Sequence, residues 1–284
     1  MKKHLLVGAF LFYCSSVLAQ DSLTLTDGFR TADGWTTRKV VSAGLVTGFL
    51  GGSLVSSYYD WWNANSQSFH FVREGFWNDY SLGIDKFGHA FTSYFYFNTF
   101  RYIMLWGGFT PKTAFWWSFG TTAFFAISIE VGDGLSPYGF SFEDLTANGL
   151  GLGFAVLQEE YPFFRNFGLK WSYVPTDGYR FPPRFTDHYD GHTYWLAFNM
   201  HNLLPGDAGN CWPEFLQLAV GYSVADQMTK RELVIGLDLN LRAFDVEQPE
   251  LLLVRNTVDM IHLPAPAIKF TEDKPAKAYL FHLN

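Results

Sequence analysis

Cysteine is nearly absent: Cys14 and Cys211 are the two in 284 residues, and Cys14 falls in an N-terminal export signal. A disulfide framework and a cysteine-based zinc site are therefore both excluded. Cys211, beside Trp212, reads as a small buried hydrophobe. Charge is also scarce, at 17% of residues, and it leans acidic, with 20 Lys and Arg against 27 Asp and Glu. No basic stripe exists for phosphate backbones to meet, so nucleic acid is excluded as a partner. Missing too are His-Glu-x-x-His, Gly-x-Ser-x-Gly, a phosphate loop and a dinucleotide fingerprint. Without them the zincin, common serine hydrolase, NTPase and dehydrogenase readings fall. The chain also lacks the Lys/Arg set around Ser-Gly-His that a lipid phosphatase needs.

Aromatic rings are abundant instead, with 30 Phe, 15 Tyr and 10 Trp. Bulky rings with few charges suit a boundary between water and an apolar phase. A water-soluble core is the plainer alternative. The N-terminus is an address: Lys2 and Lys3 precede the apolar run Leu5 to Tyr13, and Val17-Leu18-Ala19 precedes Gln20. This is the layout of a secretory signal peptide over 1–19. Leu11-Phe12-Tyr13 are too bulky for acylation at Cys14, so cleavage after Ala19 is expected. A polar leader follows over 20–37.

Four hydrophobic helices are expected between 38 and 170. The first, Arg38 to Tyr59, lines up Gly44, Gly48 and Gly52 at four-residue steps, a groove for another helix. The second runs from Ile84 to Trp106. The third, Lys112 to Val131, is apolar enough over about 20 residues to span a bilayer. Ser141-Phe142-Glu143-Asp144 resembles a capping box opening the fourth, which repeats small residues at Ala147, Gly151 and Ala155. Segment 63–81 is expected to be loop with a short surface helix. Arg38 and Lys39 lie outside if the leader is cleaved, against the usual bias of positive charge. A retained leader and a bundle packed on the periplasmic side of a membrane both remain open.

Beyond 170 the period changes. Tyr194 to Met200 reads as a short strand. Leu216, Leu218, Val220, Tyr222 and Val224 alternate with Gln217, Ala219, Gly221 and Ser223. Leu233 to Leu241 repeats that alternation, which predicts a β-hairpin with one wet face. Pro249 to Leu263 reads as an amphipathic helix. The expected fold is thus mainly α: a bundle of about four hydrophobic helices, with a small C-terminal α/β appendage over 171–284 containing a β-hairpin.

Ionisable groups collect at the ends of these apolar segments. Asp85 and His89 share a helix face at a spacing of four. An up-down-up arrangement brings Glu130, Asp133, Glu143 and Asp144 to the same end. Carboxylates around one imidazole orient it as a base or a ligand, and charge near hydrocarbon is usually paired and often functional. The candidate catalytic residues are therefore His89, Asp85, Glu130 and Asp144. Lys86, Ser93, Asp133, Ser141 and Asn148 are candidate binding residues. The plain readings are a register-holding hydrogen bond for Asp85/His89, a helix cap for Asp144 and a solvent-facing Glu130. Asp187-His188-Tyr189-Asp190-Gly191-His192 carries metal-like letters, but in a proline-rich link where spacing alone is weak. No metal and no cofactor are assigned.

Three stretches together resemble a family: Asp85-Lys86-x-x-His89-Ala90, Glu130-x-x-Asp133, and Phe140-Ser141-x-x-Asp144-Leu145-x-Ala147-Asn148-x-x-Gly151. They are similar to the YfiM-like predicted periplasmic lipoproteins and, more loosely, to VanZ-like membrane proteins. The resemblance covers roughly 38–160 and implies a helical core in the envelope of a Gram-negative-type bacterium, with no activity attached. The resulting expectation is an exported, membrane-associated envelope protein with a structural or ligand-binding role. Its partner is expected to be membrane lipid or another envelope component, with a possible helix–helix packing partner. The alternative is an envelope lipid or glycan hydrolase or transferase that uses His89 with the surrounding carboxylates.

Overall fold

The computed structural model describes residues 28–63, 66–175 and 189–283; the expected signal peptide and residues 20–27 of the expected leader lie outside them. Its helices open where local chemistry satisfies their first amides. Thr36 caps α1 (Thr37–Ser57), which runs on into a π-helical turn at Tyr58–Trp62. The second helix, α2 (Ile84–Trp106), opens at Gly83, whose φ of +85° favours glycine and whose amide donates to Asp79 Oδ1 at 2.6 Å. Thr110 caps α3 (Pro111–Gly134), with proline in the first turn, where its missing N–H is harmless. Ser141 caps α4 (Phe142–Glu160) by accepting from Asp144 N. The strand β1 (Phe71–Val72) pairs in parallel with β2 (Phe140–Ser141), and so ties segment 66–81 to the start of α4. A strand stands there in place of the expected surface helix.

Helix α2 is the hub. It packs against α1, α3 and α4 on one side, and against α7 (Pro249–Val258) and the sheet on the other. The small-residue seam of α4 works as its spacing predicts. Ala147 and Ala155 are buried, and a Cβ on Gly151 would sit 1.8 Å from the Ala90 carbonyl oxygen. At the far end Arg101 grips Glu159 through two nitrogens, its Nε donating to Oε1 at 2.6 Å. The other glycine line finds no counterpart within the chain: among the described residues nothing lies within 4 Å of a Cβ placed on Gly44, Gly48 or Gly52.

The C-terminal half overturns the expected fold class. Of the described residues 51% are helical and 22% strand, and the sheet is a second layer rather than a small hairpin appendage on a four-helix bundle. Six strands, β3 (Phe167–Tyr173), β4 (His192–Phe198), β5 (Leu216–Ala225), β6 (Lys230–Leu239), β7 (Ala265–Thr271) and β8 (Lys277–His282), run in chain order, each antiparallel to the next. The expected hairpin is present as β5 and β6, at the centre of the sheet. Between β4 and β5 lie two short helices, α5 (Met200–Leu203) and α6 (Asp207–Cys211). Cys211 there is exposed, not buried.

Along most of the hairpin the two faces are also reversed, while Tyr222 and Val224 are buried as expected. Gln217, Ala219, Gly221, Ser223, Val234, Gly236 and Asp238 are buried, whereas Leu233 and Ile235 are 45% and 41% exposed. The sheet curls so that its small and polar face turns inward, around Trp195. Ser172 of β3 donates to the carbonyl of Leu283, just beyond β8, so the two edges come together. Inside, Lys170 Nζ lies 2.5 Å from Asp238 Oδ2 and His262 Nδ1 lies 2.9 Å from Asp238 Oδ1, with Trp195 stacked on His262 at 3.9 Å. Buried charges of this kind persist only when paired.

Apolar residues also face outward on the helical layer: Val40, Leu45 and Val55 on α1, Trp116, Trp117, Phe124 and Ile127 on α3, and Leu150 on α4. Among the described residues one helical stretch, Thr37–Trp62, is long and apolar enough to cross a membrane. The α3 stretch expected to do so does not reach that mark, because Ser, Thr, Gly and Trp dilute its run.

Two measurements check this packing. Gly151→Ala forces its methyl against backbone and is expected to cost roughly 1–3 kcal/mol or more, read as a lower denaturant midpoint. Gly149→Ala, in open space, is expected to be neutral or mildly stabilising. His282 is held down at about 4 by burial, Lys269 and His262, against 6.5 when free. The unfolded chain therefore takes up this proton first. The stability involved is intact above pH 6.5 and is lost as pH falls toward 4. His282→Gln is expected to flatten that limb of the stability–pH curve.

Candidate functional site

Asp85, His89 and Ser93 fall on one stripe of α2 because four residues make slightly more than one turn. The close approach at Gly151 lays Asp144 and Asn148 of α4 across that stripe. Glu130 reaches it from the last turns of α3. The structure therefore brings His89, Asp85, Glu130 and Asp144 together, as the up-down-up arrangement implies. His89 Nε2 lies 3.7 Å from Asp85 Oδ1 and 3.9 Å from Asp144 Oδ1, and Nδ1 lies 3.7 Å from Glu130 Oε1. None of these three is a hydrogen bond in length. The imidazole's close partner is Asn148, whose Nδ2 lies 3.1 Å from Nδ1. Ser93 Oγ in turn donates to Asn148 Oδ1 at 2.7 Å.

Lys86 is the main cation. It is almost fully buried and touches Asp144 at 2.6 Å, Asp85 at 3.1 Å, Asp79 at 3.4 Å and Glu74. Two sequence-chosen residues serve the frame: Ser141 caps α4, and its amide donates to Glu130 Oε2 at 3.3 Å. Asp133 sits apart from the imidazole and accepts from Trp62 Nε1 at 2.7 Å. Glu143, at the same helix end, is half-buried and has no ion pair with the imidazole among the described residues.

Sequence reasoning missed Glu74, Asp79, Tyr80 and Tyr189. Tyr189 donates to Asp85 Oδ1 at 2.9 Å, and Tyr80 stands 3.2 Å from Tyr189. Asp79 lies close in sequence, four residues before the Gly83 amide that donates to it. Tyr189 carried no local signal: it is 104 residues from Asp85. Of the metal-like cluster, Asp187 and His188 lie outside the described residues. Asp190 accepts from the amides of Gln227 and Met228 in the hairpin turn. His192 receives Trp171 Nε1 at 3.0 Å. Both therefore have structural partners on different elements.

The electrostatics are unbalanced. Among the described residues, Glu74, Asp79, Asp85, Glu130 and Asp144 form ion pairs with two side chains, Lys86 and His89. Burial pushes Glu130 up to about 8, against the opposing pull of His89. Burial also raises Asp133, to about 6. For His89 burial works downward, but Asp85, Asp144 and Glu130 outweigh it and raise the imidazole. Asp85 is lowered because His89, Lys86 and the Tyr189 hydroxyl overcome its own burial. Glu130 is 1% exposed and its Oε1 has no hydrogen-bond partner. Two carboxylates and an imidazole, Asp85, Asp144 and His89, present ligand atoms within 4.8 Å of one another. Such a set is able to hold a cation, or to hold and pass a proton.

Residues 73–160 match the family described as predicted periplasmic lipoprotein (DUF2279). That span begins one residue before Glu74 and ends with α4, so it contains the whole acidic cluster. The match supports a cell-envelope location, periplasmic or membrane-associated. No curated protein and no solved structure matches the chain.

Lys86→Met tests how far the cluster depends on its buried cation. Several carboxylates lose their partner at once, and the expected loss is on the order of 3–5 kcal/mol, read by chemical denaturation.

Proposed function

We propose that this envelope protein lies against lipid through the outward apolar faces of α1, α3 and α4. Its buried Asp85/His89/Glu130/Asp144 cluster serves as a ligand-binding pocket that receives positive charge. The YfiM-like resemblance of the same segment belongs to this reading. The observation that carries it is Glu130 Oε1, almost fully buried and unpartnered among carboxylates that outnumber the cations around them. A purely structural cluster is expected to be neutral and saturated with hydrogen bonds. This one is neither, and stability given up at a site is the usual signature of function. The exposed rings of Trp116 and Trp117 and the apolar length of Thr37–Trp62 support contact with lipid.

The alternative, an envelope lipid or glycan hydrolase or transferase that uses His89 with the surrounding carboxylates, draws on the same cluster, but a serine nucleophile beside it has less behind it. Ser93 is buried and donates to Asn148, and Ser141 is occupied as a cap.

The test is Glu130→Gln in exhaustively dialysed protein. Glu130 titrates at about 8 in the folded chain against 4.5 when free. Its burial therefore costs nothing below pH 4.5 and progressively more as pH rises through 8. Glutamine keeps the shape and removes the charge. A Tm above that of the natural chain, by a larger margin at pH 9 than at pH 5, is the expected outcome. A clear loss of stability at both values would show that the carboxylate is part of the frame and end the pocket reading.

A further inference from the structure

We propose that the positive charge this pocket receives is a divalent transition-metal ion, Zn²⁺ or Mn²⁺, ligated by Asp85, His89 and Asp144. The assignment rests on the pocket reading above and gives it a ligand class. It begins with the spacing. His89 Nε2 stands 3.7 Å from Asp85 Oδ1 and 3.9 Å from Asp144 Oδ1, too far for hydrogen bonds. Ligand bonds of about 2.0–2.2 Å to a shared ion bridge separations up to roughly 4.4 Å. Two oxygens and one imidazole nitrogen form a mixed donor set that suits a borderline ion better than Ca²⁺, which takes oxygen alone.

The surroundings supply what an imidazole ligand needs. A histidine that binds metal through Nε2 carries its proton on Nδ1 and donates it to a fixed acceptor. Glu130 Oε1, unpartnered and 3.7 Å from Nδ1, is placed to be that acceptor. Asn148 is the second: turning its amide over presents Oδ1 to Nδ1–H and Nδ2 to Ser93 Oγ, with the same atoms in the same places. The Tyr189 hydroxyl donates to the same Asp85 Oδ1 at 2.9 Å and fixes where that oxygen points. Lys86 contacts Asp144 Oδ1 as well as Asp85 Oδ2, so an ion shares those carboxylates with it. Glu74 and Asp79 remain beside Lys86 to keep its charge paired when the ion enters.

The experiment uses the full chain without a histidine tag, purified in detergent and stripped with a chelator, then given Zn²⁺ or Mn²⁺ alone. One ion per chain by elemental analysis, with a rise in Tm, is the expected result. Asp85→Asn and His89→Ala should each abolish it. Glu130→Gln should weaken it by roughly 10- to 100-fold, and Glu74→Gln should leave it in place. No bound ion, with Glu130→Gln still stabilising the stripped chain, overturns the metal and leaves the pocket standing. No bound ion and a destabilised Glu130→Gln overturn both. An ion that survives His89→Ala but is lost in Glu74→Gln belongs to the neighbouring acids and overturns the assignment to His89.

Discussion

Everything in the helical layer depends on how closely α4 approaches α2. At Gly151 the two backbones meet with no room for a single methyl beside the Ala90 carbonyl. That contact sets the register in which Asp144 and Asn148 lie over Asp85, His89 and Ser93. One turn of slippage would carry the acidic end of α4 about 5 Å along α2 and separate His89 from Asp144. The clamp between Arg101 and Glu159 holds the same pair of helices at the opposite end, so the pair is fixed at both ends. A small-residue seam and a bidentate ion pair together act as a jig for the cluster.

Polarity is distributed unusually in both layers. The helices surround their charged residues with rings and turn apolar side chains outward, while the sheet curls small and polar residues inward and leaves Leu233, Ile235, Ile268 and Phe270 exposed. In water an apolar exterior is costly; against lipid it is not, which fits the proposed apposition. The two polar interiors differ in their balance. Inside the sheet, Lys170 and His262 meet Asp238 directly. Around His89 the carboxylates are in excess and one oxygen is unpartnered. The sheet interior also holds buried nitrogens without a hydrogen-bond partner, His262 Nε2 and His282 Nε2, so the difference lies in charge: paired there, in acidic excess around His89.

Legibility followed the length of the signal. The long helices could be read because 3.6-residue periodicity and capping residues are local, and α2, α3 and α4 stand within a few residues of their expected ends. The sheet could not. Of its outer strands β4 alone was read, two residues late, as Tyr194 to Met200; the six- and seven-residue β3, β7 and β8 give few alternations, and inward-facing Lys170, Ser172 and His282 break the apolar pattern expected of a buried face. The hairpin was found as a hairpin, but along most of it the faces were exchanged, since alternation gives a period and not which side is dry. Gly44, Gly48 and Gly52 looked like Gly151 and its neighbours, yet among the described residues the α4 line is the one that meets another helix.

The sequence by itself determined the acidic bias, the spacing of Asp85, His89 and Ser93 on one helix face, the cap at Ser141 and the small seam of α4. These rest on chain-local geometry and on side-chain chemistry that does not depend on what packs nearby. Tertiary structure decided that Glu74, Asp79 and Tyr189 join the cluster, that Asp133 goes to Trp62 instead, and that the sheet closes around polar residues. Those outcomes depend on which distant surfaces meet, and burial then determines which carboxylates hold their protons.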